Sequence, residues 1–461
     1  MLDNILRQVD ASRDRAVDRL FDFLRIPSVS THPHNKPDVD RCAEWLAHQL
    51  RGLDLQAQVH PTALHPVVLA RNAHRPGRPT VLVYGHYDVQ PPEPLELWTT
   101  PPFGPAIRNG AIHARGSADD KGQVWAHVEA IRAWQQGGGE RTDGGGLPVN
   151  LVFVIEGEEE IGSPSFAAFM QEHSEELKAD VAVISDTNQF ARGLPAITYG
   201  LRGLVYEEIL LTGPSHDLHS GLFGGVVANP ANVLCELIAS LHDADGRVNI
   251  PGFYDDVVPL ELRERELWAK LPFSESDLMR ELDLSSLAGE KGYSALEREW
   301  VRPTCDVNGI TTGFQGEGAK TVIPSKASAK VSMRLVPNQN PQKIRELFEK
   351  AIRDRCPAGV SVEFRNHSMA EAMLVPLGSK AMELAADALR IGFGQEPTFM
   401  RGGGSIPVAT LISRMLGVET LLVGFGLPDD RAHSPNEKFD LAAFHGGTRT
   451  CAALYAKLAG L

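Results

Sequence analysis

Imidazoles and carboxylates recur in this chain where apolar runs stop. In Val81-Leu82-Val83-Tyr84-Gly85-His86-Tyr87-Asp88-Val89, four apolar or aromatic residues read as a buried strand that Gly85 ends. His86 and Asp88 then project from one side, two residues apart. Asp119 and Asp120 stand in the Gly-broken turn Arg115-Gly116-Ser117-Ala118-Asp119-Asp120-Lys121-Gly122. The run Leu151-Val152-Phe153-Val154-Ile155 leads to Glu156-Gly157-Glu158-Glu159-Glu160-Ile161-Gly162-Ser163. Val181-Ala182-Val183-Ile184-Ser185 ends in Asp186, and Leu421-Leu422-Val423 leads to Ala432-His433-Ser434-Pro435-Asn436-Glu437. The carboxyl ends of strands are where α/β sheets place their ligand sites.

Imidazole and carboxylate together suit zinc or manganese, with no thiolate needed. A bridging carboxylate with one His and one acid per ion is the format of two-metal hydrolases, whose ions lie about 3.5–4 Å apart. Water between such ions is acidified toward neutrality. A nearby carboxylate can take its proton and pass it to a leaving amine, and a neutral donor should face the developing oxyanion. Each piece alone also has an ordinary reading. Asp119, Ser163 and Asp186 could cap helices, and three glutamates in a row are usually a solvated face. His219, in a Gly-flanked loop, could be a plain surface or core residue, and Arg401–Pro407 a plain Gly-rich turn. Two histidines and three acids, all at the ends of apolar runs, are harder to explain that way.

The ordered segments GHYDVQ, RGSADDKG, EGEEEIGS, ISD, TYGLRG, DLHSG, GAKTVIP, RLVP, GGGSIPV and AHSPNEK run from His86 to His433 and beyond. They resemble the aminoacylase/carboxypeptidase family of co-catalytic metallopeptidases, and within it the cytosolic nonspecific dipeptidase and carnosinase branch. The resemblance covers the chain from about Arg25 onward. It implies two divalent ions per subunit, zinc with manganese as the alternative, held by His86, Asp119, Glu160, Asp186 and His433, with Asp119 bridging. Aligned on Gly162-Ser163, it makes Glu159 the general base, Glu160 a ligand and Glu158 a bystander. Asp88 would hold His86 or tune the base from behind. His219 would face the oxyanion, Arg334 would pair with the substrate carboxylate, and Thr321, His367 and Ser405 would touch the substrate. One departure is Thr187-Asn188, where the branch often has an aromatic residue, which bears on the amino-end pocket.

The implied reaction is hydrolysis of dipeptides or short peptides with a free C-terminal carboxylate, by a metal-bridging hydroxide and a Glu base. An N-acyl-amino-acid amidohydrolase of aminoacylase or desuccinylase type is the alternative in the same chemistry. A catalytically silent binding relative is the alternative in another class, but such a protein is expected to lack a ligand or the base. The resemblance also implies a homodimer made through an inserted domain, with His219 acting in trans.

These groups must be carried by an α/β scaffold. Its 461 residues suggest two domains. Strands and helices alternate up to about Gly200, the mark of a mostly parallel sheet. The stretch between Gly137 and Gly146 reads as a surface loop. From Leu204 the order becomes β-α-β-β-α-β, a ferredoxin-like arrangement, with an acidic helical insertion from Tyr254 to Trp300. The α/β pattern then resumes. The expected division is a catalytic domain over 1–202 and 376–461, interrupted by a lid and dimerisation domain over 203–375. A net charge of −14 argues against nucleic-acid partners. Five scattered cysteines fit a reducing compartment. Met1 to Leu24 is charged and amphipathic, a helix rather than a signal peptide, and no segment has membrane-spanning length. A cytoplasmic enzyme acting on small peptides, away from membranes, is expected.

Overall fold

All seven residues of the strand Asn150–Glu156 are buried, as expected of a parallel strand covered on both faces. It pairs in parallel with Thr80–His86, which pairs in parallel with Val181–Ile184, itself parallel to Glu419–Leu422. Antiparallel strands flank this centre: Val67–Arg71 and Gln56–His60 on one side, Ala196–Leu201 on the other. Helices Lys121–Gly137 and Leu441–Leu458 pack on each other. Thirteen residues of the former are buried, including Lys121, whose ammonium donates to the carbonyls of Phe23 (3.2 Å) and Ile26 (2.7 Å). The fold is described here by a computed structural model covering residues 1–137 and 146–461. The predicted loop between Gly137 and Gly146 lies outside the described residues.

Two local readings change. Gly85 does not end its strand, because the ladder runs on through His86, with Gly85 opposite Ile155. A Cβ there would sit 2.5 Å from Val124 Cγ2 and 2.8 Å from Asp120 Oδ2. Glycine is therefore required by the close approach of the neighbouring helix start, not by a turn. The N-terminal helix is broken at Ser12 into Leu2–Ala11 and Arg13–Leu24.

The chain forms two compact units, one of Met1–Tyr199, Val375–Met400 and Val408–Leu461, the other of Gly200–Leu374 and Arg401–Pro407. The second is built on a four-stranded antiparallel sheet ordered Thr304–Thr312, Lys326–Leu335, Gly203–Thr212, Ser361–Ala370. Buried and half-buried residues alternate along Gly203–Val205 and onward to Leu211, the period-two pattern of a sheet covered on one face. Helices Pro230–Ala239 and Pro341–Arg355 supply the cover through Leu234, Leu237, Ile344 and Phe348, packed on Val205, Ile209, Val331 and Met333. Strand and helix order is β-α-β-β-α-β, the ferredoxin-like inserted unit. Short helices Leu262–Trp268, Glu275–Glu281 and Ala295–Trp300 occupy the inserted stretch. The brief return of Arg401–Pro407 to this unit is tied by Arg202, whose N–H donates to the Gly404 carbonyl at 3.1 Å. Linear domain boundaries do not reveal that return. Among the described residues no helix is long and apolar enough to cross a membrane, and the five cysteines are free.

Candidate metal centre

The strand ends of the first unit bring five predicted groups together. His86, Asp119 and Asp186 form one cluster of donor atoms, and Asp119, Glu160 and His433 another. Asp119 is common to both. Its Oδ1 lies 3.1 Å from His86 Nε2 and its Oδ2 lies 2.9 Å from His433 Nε2. Asp186 Oδ2 is 3.9 Å from His86 Nε2, and Glu160 Oε2 is 3.3 Å from His433 Nε2. All donors are carboxylate oxygen or imidazole nitrogen, a set suited to divalent zinc or manganese, so these residues fit a pair of such ions sharing Asp119.

His86 is fully buried. Its Nδ1–H donates to the Asp88 carbonyl at 3.1 Å, which turns Nε2 toward Asp119. Burial alone pulls this imidazole down, but hydrogen bonds to Asp119 and Asp88 hold its pKa well above the usual histidine range. Hydrogen bonds to Asp119 and Glu160 push His433 up to about 10. Burial opposes ionisation of Asp119, yet its bonds with His433 and His86 keep it below the usual carboxylate range. Burial, then neighbouring Asp120 and Asp119, pushes Asp186 well up. His433 sits in the left-handed backbone region at φ 61°, a conformation uncommon for a non-glycine residue. Asn436 anchors its loop, accepting from Thr99 N–H (2.8 Å) and donating to the Leu97 carbonyl (2.6 Å).

The three consecutive glutamates have separate fates. Glu158 is buried and accepts from the Thr62 hydroxyl (2.6 Å), His65 N–H (2.8 Å) and Ser165 N–H (2.9 Å). It is a strut of the fold rather than a bystander to it. Glu160 takes part in the second cluster and accepts from Gln90 Nε2 at 2.7 Å. Glu159 stands between them, its pKa raised to about 7 by burial. Asp88 is buried and accepts from the N–H groups of both Glu159 (3.2 Å) and Glu160 (3.1 Å). It therefore sets the backbone of the glutamate run as well as the ring of His86. A cavity of about 350 Å³ beside Asp119 and Asp186 is lined in part by Thr187, Asn188 and Pro428.

Sequence reading missed two contributors. Gln90 is one. Glu437 is the other, a fully buried carboxylate accepting from Arg115 Nη1 (2.8 Å) and from the N–H groups of Gly116 (2.9 Å), Ala118 (2.9 Å) and Asp119 (3.2 Å). It ties the loop carrying His433 to the loop carrying Asp119. Its setting in the triplet Asn436-Glu437-Lys438 gives no such hint. Only its place four residues after His433 could have.

The remaining predicted residues lie in the second unit. His219 is exposed and its Nδ1 accepts from Gly221 N–H at 2.9 Å. Its strand, Leu218–His219, pairs with Val322–Ile323, and Ser220 N–H donates to the Thr321 carbonyl at 3.1 Å. Arg334 Nη1 donates to Ser405 Oγ at 2.9 Å. His367 is held separately, 3.2 Å from Glu208 Oε2 and against the Tyr206 ring.

A cluster of acids and imidazoles at parallel strand ends, in an α/β unit interrupted by a ferredoxin-like one, defines a metal-dependent hydrolase. Residues 82–457 match Peptidase family M20/M25/M40, and the chain belongs to that family; it is a metallopeptidase. It is 34% identical to a Cys-Gly metallodipeptidase of Candida albicans, covering 96% of this chain and 94% of that protein. It is 30% identical to the Beta-Ala-His dipeptidase of Homo sapiens, covering 100% of this chain and 93% of that one. The solved structure of the dipeptidase Dug1p from Saccharomyces cerevisiae matches with a TM-score of 0.87 at 31% identity, over 100% of this chain and 99% of that one. These likenesses fall in the dipeptidase and carnosinase branch.

Proposed function

We propose that this protein is a di-metal dipeptidase that hydrolyses dipeptides or short peptides bearing a free C-terminal carboxylate, in the cytoplasm, as a homodimer. The observation that carries the reading is Asp119 presenting one oxygen to each of two imidazoles. His86 and Asp186 would hold one ion, Glu160 and His433 the other, with Asp119 shared. Zinc is the preferred ion and manganese the alternative. When bound, such ions supply Lewis acidity toward water and the scissile carbonyl.

Glu159 accepts a proton from the attacking water and later delivers it to the leaving amine. A carboxylate poised near neutrality is suited to both tasks, and burial favours that poise. Asp88 keeps Glu159 and Glu160 in place. His219 accepts at Nδ1, so in its neutral form the proton sits on Nε2, free to donate to the oxyanion. Because this loop belongs to the inserted unit, we assign His219 to the site of the partner subunit. Arg334 receives the substrate carboxylate, and Thr321, His367 and Ser405 contact the substrate. The names of the similar dipeptidases support this substrate class.

The test is a zinc or manganese titration combined with a panel of free dipeptides, amidated dipeptides and N-acyl amino acids. Two ions per chain and preferential turnover of free dipeptides are expected. One ion at saturation, or preferential turnover of N-acyl amino acids, would overturn the reading.

A further inference from the structure

Arg202 lies in the segment Thr198-Tyr199-Gly200-Leu201-Arg202-Gly203 and has no role so far beyond tying down a turn. It makes three bonds with the turn that carries Ser405. Its N–H donates to the Gly404 carbonyl (3.1 Å) and its Nε–H to the Gly403 carbonyl (2.9 Å). Its own carbonyl accepts from the Ser405 hydroxyl at 2.5 Å. That hydroxyl is the acceptor for Arg334 Nη1. The order of dependence is thus Arg202, the turn, Ser405, Arg334. A Cβ on Gly403 would fall 3.1 Å from Arg202 Nη2 and 2.9 Å from Glu299 Cγ, so the guanidinium lies directly against the turn. Its Nη1 is buried without a protein partner.

From this arrangement we infer that Arg202 is a positioning residue for the carboxylate subsite: it fixes the Gly403–Ser405 turn so that Ser405 aims Arg334, and sets a second positive charge beside it. The inference rests on the proposed role of Arg334. Burial, then the charge of Arg334, lowers Arg202 to about 10, so its guanidinium stays charged at neutral pH, and arginine side chains in proteins keep their charge generally. Glu299 and Asp306 partly balance them. Two neighbouring cations repel each other, and an arriving carboxylate relieves that repulsion. Selectivity for a free C-terminus would then come from the pair rather than from Arg334 alone.

Steady-state kinetics of Arg202→Met and Arg202→Lys, on a dipeptide and its C-terminal amide, test this. A charge-assisted contact is worth about 1.5–3 kcal/mol, roughly ten- to a hundredfold. Arg202→Met should therefore raise KM for the free dipeptide at least tenfold with kcat little changed, and leave KM for the amide nearly unmoved. Arg202→Lys keeps the charge but loses the planar fork, and should recover part of the selectivity. If Arg202→Met does not fold, Arg202→Lys in a Ser405→Ala background decides the matter. The lysine effect should shrink there if it passes through Ser405, and full additivity overturns the inference. Equal losses on free and amidated substrates also overturn it, marking Arg202 as merely structural. Failure of the wild type to distinguish the two substrates would instead sink the carboxylate reading, and this inference with it.

Discussion

Around His86 the first unit fixes its polar groups with buried partners, whereas the second unit presents His219 and Thr321 on exposed paired segments. Asp88, Glu158 and Glu437 are all buried, and each accepts from at least two backbone N–H groups. Such carboxylates are worth more in a low-dielectric interior than at a surface, and costly if left unpaired. The His219 imidazole, by contrast, accepts from Gly221 N–H at 2.9 Å. On the proposed reading the difference follows the tasks. Ligands of a cation must be placed before it arrives, since binding energy is lost if they have to be ordered. Groups that grip a substrate can be ordered by that substrate. Arg334 is the intermediate case, braced by Ser405 and half-buried.

This contrast can be broken most sharply at the base. Glu159→Gln should lower turnover by about 10²–10⁴-fold while two ions still bind, as read by elemental analysis. Glu160→Gln should instead lose metal affinity, and exchanged phenotypes would move the glutamate assignment by one residue. Next in size, His219→Ala should cost about 10²–10³-fold in kcat, as for removal of one oxyanion donor. Because the residue is exposed, thermal denaturation should not shift. Mixing His219→Ala chains with Glu159→Gln chains should restore some activity if the site is shared across subunits. Zero activity after confirmed subunit exchange rules sharing out.

Smaller effects sharpen the role of the buried struts. Glu437→Gln should weaken metal binding by about 10–100-fold, the usual cost of losing a partner behind a ligand; competition with a chelator measures it. Glu158→Ala leaves the His65 and Ser165 N–H donors without this acceptor. A loss of about 1–3 kcal/mol in urea denaturation is expected, with metal stoichiometry unchanged.

Much of the first unit was legible because burial on both faces leaves a plain mark: unbroken apolar runs that stop at a polar residue. The approach of His86 and Asp186 follows from that, since neighbouring parallel strands deliver their ends to one edge, whereas Asp119 and His433 reach them on loops. Gly85 misled because a glycine after an apolar run reads as a stop, while here it admits the start of the next helix. Division of labour among Glu158, Glu159 and Glu160 was not legible from composition, as adjacent residues on one tight turn point in different directions. The partners of Glu437 and Arg202 could not be found by spacing. Their bonds span 318 or more residues in one case and 201 or more in the other, and no local pattern encodes a partner so distant.

The return of Arg401–Pro407 to the second unit bears on how the enzyme is born. A chain leaves the ribosome N-terminus first. Most of both units is therefore out, and can begin to fold, while the turn against Arg202 and the loop bearing His433 are still unmade. On the proposed reading neither the ligand set nor the carboxylate grip is complete at that stage. An abandoned translation product would carry a peptidase framework with no hydrolytic power.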